Sequence, residues 1–377
     1  MTTSMSTAPS RAFFAAVLAA ALFGCRAPAP QDPVLAKPPA AAAQTLSQVL
    51  DRELSSFKAR TGVHVKNLGT GEEAGVRADQ PFNSFSVIKL AILVRAYQLA
   101  DAGTLNLDQR VEVAAADLRD GSGMLYDFDP GLRVTQRDLL TQMIVTSDNT
   151  ATDMMLARVG GLDALNAWLK ESDFTNTRMV QSMLDGFRQP LVMVDPKYKT
   201  LSEEDTLAYW MMPSFFINPR RMDALAARSA ELQKAVPFND VLPKISARWN
   251  DDPEYWLGSM TARETGRLLE AIDGGTLASQ ESSRAMRAIL ADQRVGALRL
   301  PHYLPWPDYF VAHKTGDGPP VIANDVGIIY GPNNAKIVVS FFSAAIAEPY
   351  PEHEDRIGRL ARAVVDFFAT KAAAGAK

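Results

Sequence analysis

Cysteine occurs once in the 377 residues, at Cys25, and histidine four times, at His64, His302, His313 and His353. A single cysteine excludes an intrachain disulfide. Scattered histidines without ligand-like spacing leave no zinc site of the usual Cys/His kind. Basic blocks are missing too: the net charge is −4 with no run of lysine and arginine, which argues against nucleic acid as a partner. No apolar run reaches the about 20 residues that a membrane-spanning helix needs. What remains is ordinary globular composition, 47% hydrophobic and 22% charged, with ample material for a large core in one domain or two.

The N-terminal segment reads as a targeting signal rather than a fold element. Arg11 precedes an apolar run from Phe13 to Phe23 that ends at Gly24-Cys25. This resembles a bacterial lipoprotein signal, in which the cysteine is lipidated and becomes the mature N-terminus. An ordinary secretory signal cleaved nearby is the alternative. Residues 26–44, rich in alanine and proline, form a tether with nothing to bury. The expected organisation is therefore a signal over residues 1–25, a linker over 26–44 and a folded domain over 45–372. The location expected is the periplasm, with the membrane reached through a lipid on Cys25.

Helical spacing appears at Leu46 to Lys58, alternation at Val63 to Leu68 and at Ala74 to Ala78. Phe85 to Ala102 is apolar without internal glycine or proline and predicts one helix. Leu139 to Met143, Thr150 to Val159, Leu162 to Lys170, Met222 to Val236, Met260 to Ile272 and Ser282 to Ala291 predict others. Tyr309 to His313, Asp325 to Tyr330 and Lys336 to Phe342 read as strands, followed by an amphipathic helix over Asp355 to Phe368. The order implies an α/β fold: a sheet built from both ends of the chain, with a helical middle as a second lobe.

Three short motifs carry the chemistry: Ser86-Val87-Ile88-Lys89, Ser147-Asp148-Asn149 and Lys314-Thr315-Gly316. A lone S-x-x-K arises by chance about once in a chain of this length, and either triplet on the order of 0.1 times or less. All three in this order make a coincidence a poor explanation; they are the set that serine β-lactamases and penicillin-binding proteins carry. Ser86 opens the expected helix with Lys89 one turn on, where a desolvated amine can take the hydroxyl proton. Ser147 can relay a proton to a leaving nitrogen, and Asn149 can hold a substrate amide. Asp148 reads as a tie for the loop, and an N-cap role for Asp148 or Asn149 is compatible with this. Lys314 and Thr315 suit a substrate carboxylate, and Gly316 allows close approach to the backbone. The amide of Asp317 would complete an oxyanion hole with that of Ser86.

With Phe82 to Lys89, Gly121-Ser122-Gly123, Val145 to Thr152 and Val311 to Gly316 in place, the chain resembles a class A serine β-lactamase. The likeness runs from Leu46 to Gly186 and from Gly258 to Phe368. It implies an antiparallel sheet flanked by helices plus an all-helical lobe, with the site between them. It implies a monomer that needs neither metal nor other cofactor, acting on a small-molecule β-lactam or a peptidoglycan peptide.

One departure bears on mechanism. The family carries a Glu-x-x-Leu-Asn motif whose glutamate activates the deacylating water. Here Met183 falls at the glutamate's place, and a long aromatic-rich insertion follows at about 187–257. Asp185, Glu203 and Glu204 are the candidate substitutes, weighed against plain surface charges. Three readings stay open at this point: a β-lactam hydrolase with a relocated base, a D,D-peptidase or esterase with the same machinery, and a binding or sensor protein that acylates without turnover.

Overall fold

The computed structural model describes residues 44–210 and 219–375. The apolar run, Cys25 and the linker up to residue 43 lie outside them, as do residues 211–218 within the insertion.

Five antiparallel strands form the main sheet: β1 (Arg60–Asn67), β2 (Glu73–Val76), β8 (Phe310–Gly318), β9 (Ile322–Gly331) and β10 (Ala335–Ala344). Their order is β2-β1-β10-β9-β8, so the first and last thirds of the chain meet along the β1–β10 seam, with Val65 opposite Val339. Alternation along β10 assigns the two faces. Ile337, Val339 and Phe341 pack with α1 (Leu46–Leu54) and α12 (Tyr350–Gly375), whereas Val338 and Phe342 face the larger core under the helical lobe. Thr45 starts α1 with a capping box to Gln48, an arrangement worth about 1 kcal/mol.

The helical lobe contains α2 (Lys89–Asp101), α3 (Gln136–Val145), α4 (Asn149–Arg158) and α5 (Gly161–Glu171). Leu90 to Val94 on α2 are fully buried, as a run of five consecutive apolar residues, which covers every face of a helix, requires. Short strands β4 (Arg110–Val113) and β5 (Leu132–Thr135) pair beside it. The insertion is helical as well: α6 (Met183–Val192), α7 (Glu203–Trp210), α8 (Pro219–Ala235) and α9 (Phe238–Asp251). It leaves and returns at one place. Strand β6 (Arg178–Met179) pairs with β7 (Gly258–Thr261), and Val180 N donates to Leu257 O at 2.9 Å. The entropy cost of joining the ends of such an excursion grows only slowly with its length.

Two expected helices begin late. Met260 belongs to β7, which sits between β3 (Pro81–Asn83) and β6, and α10 starts only at Ala262, before α11 (Gln280–Ala291). A strand of four buried residues, Gly258 to Thr261, has no solvent face to betray its period. The second case is the one that carries Ser86.

Candidate active site

Residues Phe85–Ile88 form a 3-10 turn, and α2 begins at Lys89 rather than at Phe85. Phe85 has a φ of +44°, which no right-handed helix accepts, so the chain enters the helix through a tight turn with Ser86 half-buried in it. Strain of this kind costs about 1–3 kcal/mol and must be imposed by neighbours. Ser84 N donates to Gly258 O at 2.7 Å, and Asn324 Nδ2 donates to Asn83 O and Ser84 O at 3.0 and 3.2 Å. Strand β8 lies against the same turn at Gly316. A methyl there would overlap the Ser84 carbonyl oxygen and come 3.2 Å from Val87 N.

Lys89 Nζ donates to Ser147 O at 2.6 Å and Asn149 Oδ1 at 2.8 Å, and lies 3.2 Å from Ser147 Oγ. Lys314 Nζ approaches the same hydroxyl from the other side at 3.0 Å and also donates to Thr315 O at 2.9 Å. Both lysines are fully buried. Burial, with the charge of Lys314 added to it, holds Lys89 well below the usual lysine range. Burial brings Lys314 down to about 7, against the pull of Asp317 and Asp325. A hydroxyl has one proton and two lone pairs. Ser147 between two amines can therefore accept from a charged lysine and donate to a neutral one, which makes it a proton conduit.

Backbone geometry at Ser147 is also left-handed, with φ +58°. Asp148 holds it there. Its Oδ1 accepts from Ala151 N at 2.8 Å as the N-cap of α4, and its Oδ2 accepts from Met124 N and Leu125 N at 2.7 and 2.9 Å. Burial raises the Asp148 carboxyl even so. Gly123, at φ +106°, is glycine because any Cβ would overlap the Asp148 side chain. Ser122 Oγ donates to Ser147 O at 2.7 Å, and Asn149 Nδ2 donates to Asp120 O at 2.8 Å. Both ends of the Asn149 amide are thus engaged within the protein.

Against known proteins, the β-lactamase enzyme family model matches residues 43–368. The chain belongs to that family. It is 22% identical to the β-lactamase VEB-1 of Pseudomonas aeruginosa over 333 residues, 86% of this chain and 91% of that one. An ancestral class A β-lactamase superposes with a TM-score of 0.63 at 23% identity, over 85% of this chain and 99% of the other. The structure of PBP-A does so with 0.61 at 21% identity, over 88% and 99%. The fold is that of a class A serine β-lactamase: an antiparallel sheet flanked by helices, and a helical lobe.

Within this β-lactamase-family frame the remaining residues fall into two groups. Thr315, Gly316 and Asp317 continue β8, which runs on to Gly318 instead of stopping at His313. Thr315 is buried and its Oγ1 lacks a hydrogen-bond partner. Asp185, Glu203 and Glu204 are not brought to the lysines. Asp185 accepts from Ser182 Oγ at 2.8 Å and lies 3.5 Å from Arg188; Glu203 is 3.9 Å from the same arginine, and Glu204 is exposed. Met183 is buried at the start of α6, where its amide and that of Leu184 donate to Asp153 at 2.8 and 3.0 Å.

Four supporting residues escaped the sequence reading. Asn324 braces the Ser86 turn, and Asp153 ties α4 to α6. Asp120 is a buried carboxyl that burial pushes up to about 7, beside Leu184, Phe187 and Glu203. Arg299 is buried against β8. None stands in a short motif. Each matters through a partner at least 25 residues away in sequence, so no local pattern announces it.

Among the described residues no group of three or more His, Cys, Asp and Glu is placed to hold a metal, and no helix is long and apolar enough to cross a membrane.

Proposed function

We propose that this protein is an exported serine acyl-hydrolase that opens β-lactam rings through an acyl-enzyme on Ser86, and that it deacylates more slowly than it acylates. The observation that carries this is the Ser147 hydroxyl held between the buried amines of Lys89 and Lys314, next to the Ser86 turn. A neutral Lys89 takes the Ser86 proton as the hydroxyl attacks the carbonyl. The amides of Ser86 and Asp317 receive the oxyanion, and Ser147 hands a proton to the departing nitrogen. Acylation requires no further group.

Deacylation does. The family's water-activating carboxylate is replaced by buried Met183, and Asp185, Glu203 and Glu204 are engaged or exposed elsewhere. A missing general base slows a step by about 10²–10⁴-fold. Mixing with a chromogenic cephalosporin should therefore give a stoichiometric burst and then a phase slower by about that factor. Intact mass should show the adduct on wild type and none on Ser86→Ala. Rapid linear turnover, or an adduct that survives Ser86→Ala, sinks this reading. The same imbalance supports a second reading, a penicillin-binding or D,D-peptidase role, for which cleavage of a D-Ala-D-Ala peptide is the decisive assay.

The lipoprotein-like Gly24-Cys25 and the alanine- and proline-rich stretch behind it support a lipid-anchored, periplasmic form. Metabolic palmitate label should appear on the wild-type protein and be lost in Cys25→Ser; label that persists in the variant refutes the anchor.

A further inference from the structure

Strand β8 forms the wall on which Lys314 and Thr315 were expected to receive a substrate carboxylate. Two residues on from Thr315, and so on the same face of the strand, stands a carboxylate of the protein's own, Asp317. Its side chain is 31% exposed. Asp317 accepts from Arg299 Nη2 and, at 2.9 Å, from Tyr350 OH. Burial works against its charge, but the guanidinium overrides this and keeps Asp317 below the usual carboxylate range.

The Arg299 guanidinium backs this wall, and four of its five N–H donors are engaged. Nε donates to Glu354 at 3.0 Å, Nη1 to Asn324 O at 2.9 Å, and Nη2 to Asp317 and, at 3.2 Å, to Tyr350 OH. At 2% exposure its side chain has no route to an outside anion. Thr315 packs its methyl towards Gly296, beside Arg299, and its buried hydroxyl has no partner. A neutral hydrogen-bonding group would satisfy that hydroxyl. A second carboxylate would sit beside Asp317, and Lys314, the lysine of this strand, already donates to Ser147 Oγ and Thr315 O.

We infer that Asp317 disfavours anionic acyl donors relative to neutral ones, so that the favoured substrate is uncharged where a penicillin carries its carboxylate: an ester, a lactone or an amidated peptide terminus. This rests on the proposed acylation of Ser86 and specifies the substrate class for it. Like charges brought together in a partly desolvated site repel strongly, and truncating one removes the repulsion.

The test is a pair of probes with the same reacting ring, benzylpenicillin and its methyl ester. Acylation of the full-length protein is followed by intact mass, and each rate is divided by the probe's own rate with hydroxide. In wild type the ester should react at least as fast as the acid. In Asp317→Asn the acid should gain by about tenfold relative to the ester. A wild type that prefers the acid overturns the inference, and this arm needs no variant, so misfolding of Asp317→Asn cannot hide the answer. No adduct on Ser86 from either probe defeats the proposed function itself, whereas adducts from both with the acid preferred defeat only the charge selection.

Discussion

The wall that carries Ser86, Lys89, Ser147 and Lys314 and the excursion between Val180 and Leu257 are neighbours built on different terms. In the first, polar groups are buried and hydrogen-bonded to one another: two lysines on one hydroxyl, one aspartate on three amides. In the second, contact is largely aromatic. Phe187, Trp210 and Phe238 stack edge to face at 5.3–5.4 Å, and Trp249 meets Phe85 at 5.2 Å. The regions touch where Phe187 crowds Gly121 and where Asp153 caps α6. A buried polar network tolerates almost no substitution, because each lost partner leaves a desolvated group behind. An apolar cluster needs only volume and shape. The first region is thus bound to one chemistry. The second supplies packing.

The sharpest way to break this contrast is to take one amine out of the matched network. Lys89→Met keeps the length of the side chain but removes the base, and adduct formation with labelled penicillin should slow by about 10²–10⁴-fold. A smaller loss would mean that Lys314 or another group takes the Ser86 proton.

Asp120 lies at the border of the two regions, and its buried carboxyl titrates near 7 in the folded protein against an ordinary 3.8. Its raised value means that the folded state binds the proton more tightly than the unfolded chain. Stability from this group is complete below the ordinary carboxylate value and is lost as pH rises towards 7. Asp120→Asn should therefore match wild type near pH 4 and exceed it at pH 8 by up to about 4 kcal/mol. Denaturant unfolding at the two pH values measures the difference; equal stability at pH 8 would place the Asp120 carboxylate in contact with solvent or a cation.

The smallest expected effect separates the regions most cleanly. Alanine at Asp185, Glu203 or Glu204 should leave steady-state turnover within about twofold, the range of surface substitutions away from a site. A large fall in the slow phase for any one of them would show that the insertion moves to deliver a base, and the contrast drawn above would collapse.

Much of the fold was legible because its elements advertise themselves. The valines and isoleucine of Val63 to Leu68 and of Lys336 to Phe342 mark strands of the central sheet, and the apolar stretch after Lys89 marks a buried helix. The catalytic candidates were legible because nucleophile, lysine and loop occupy fixed short spacings. Illegible elements lack a clean period: β7 is four residues long and buried on both faces, α6, α7 and α9 mix in aromatics, and α6 and α9 carry the internal prolines Pro190 and Pro243.

By itself the sequence determined which residue types are available at which spacings: a serine three before a lysine, an aspartate that can cap a helix, a glycine where β8 must pass close. It also left the stretch from Thr175 to Asp185 without a glutamate. Only the tertiary structure decided which groups lose their water. The low values of Lys89 and Lys314 come from burial beside one shared hydroxyl, and the engagement of Arg299 with Asp317 comes from the packing of α12 and of the segment after α11 on β8. Desolvation and charge pairing depend on what surrounds a group in space, and no local stretch of chain contains that information.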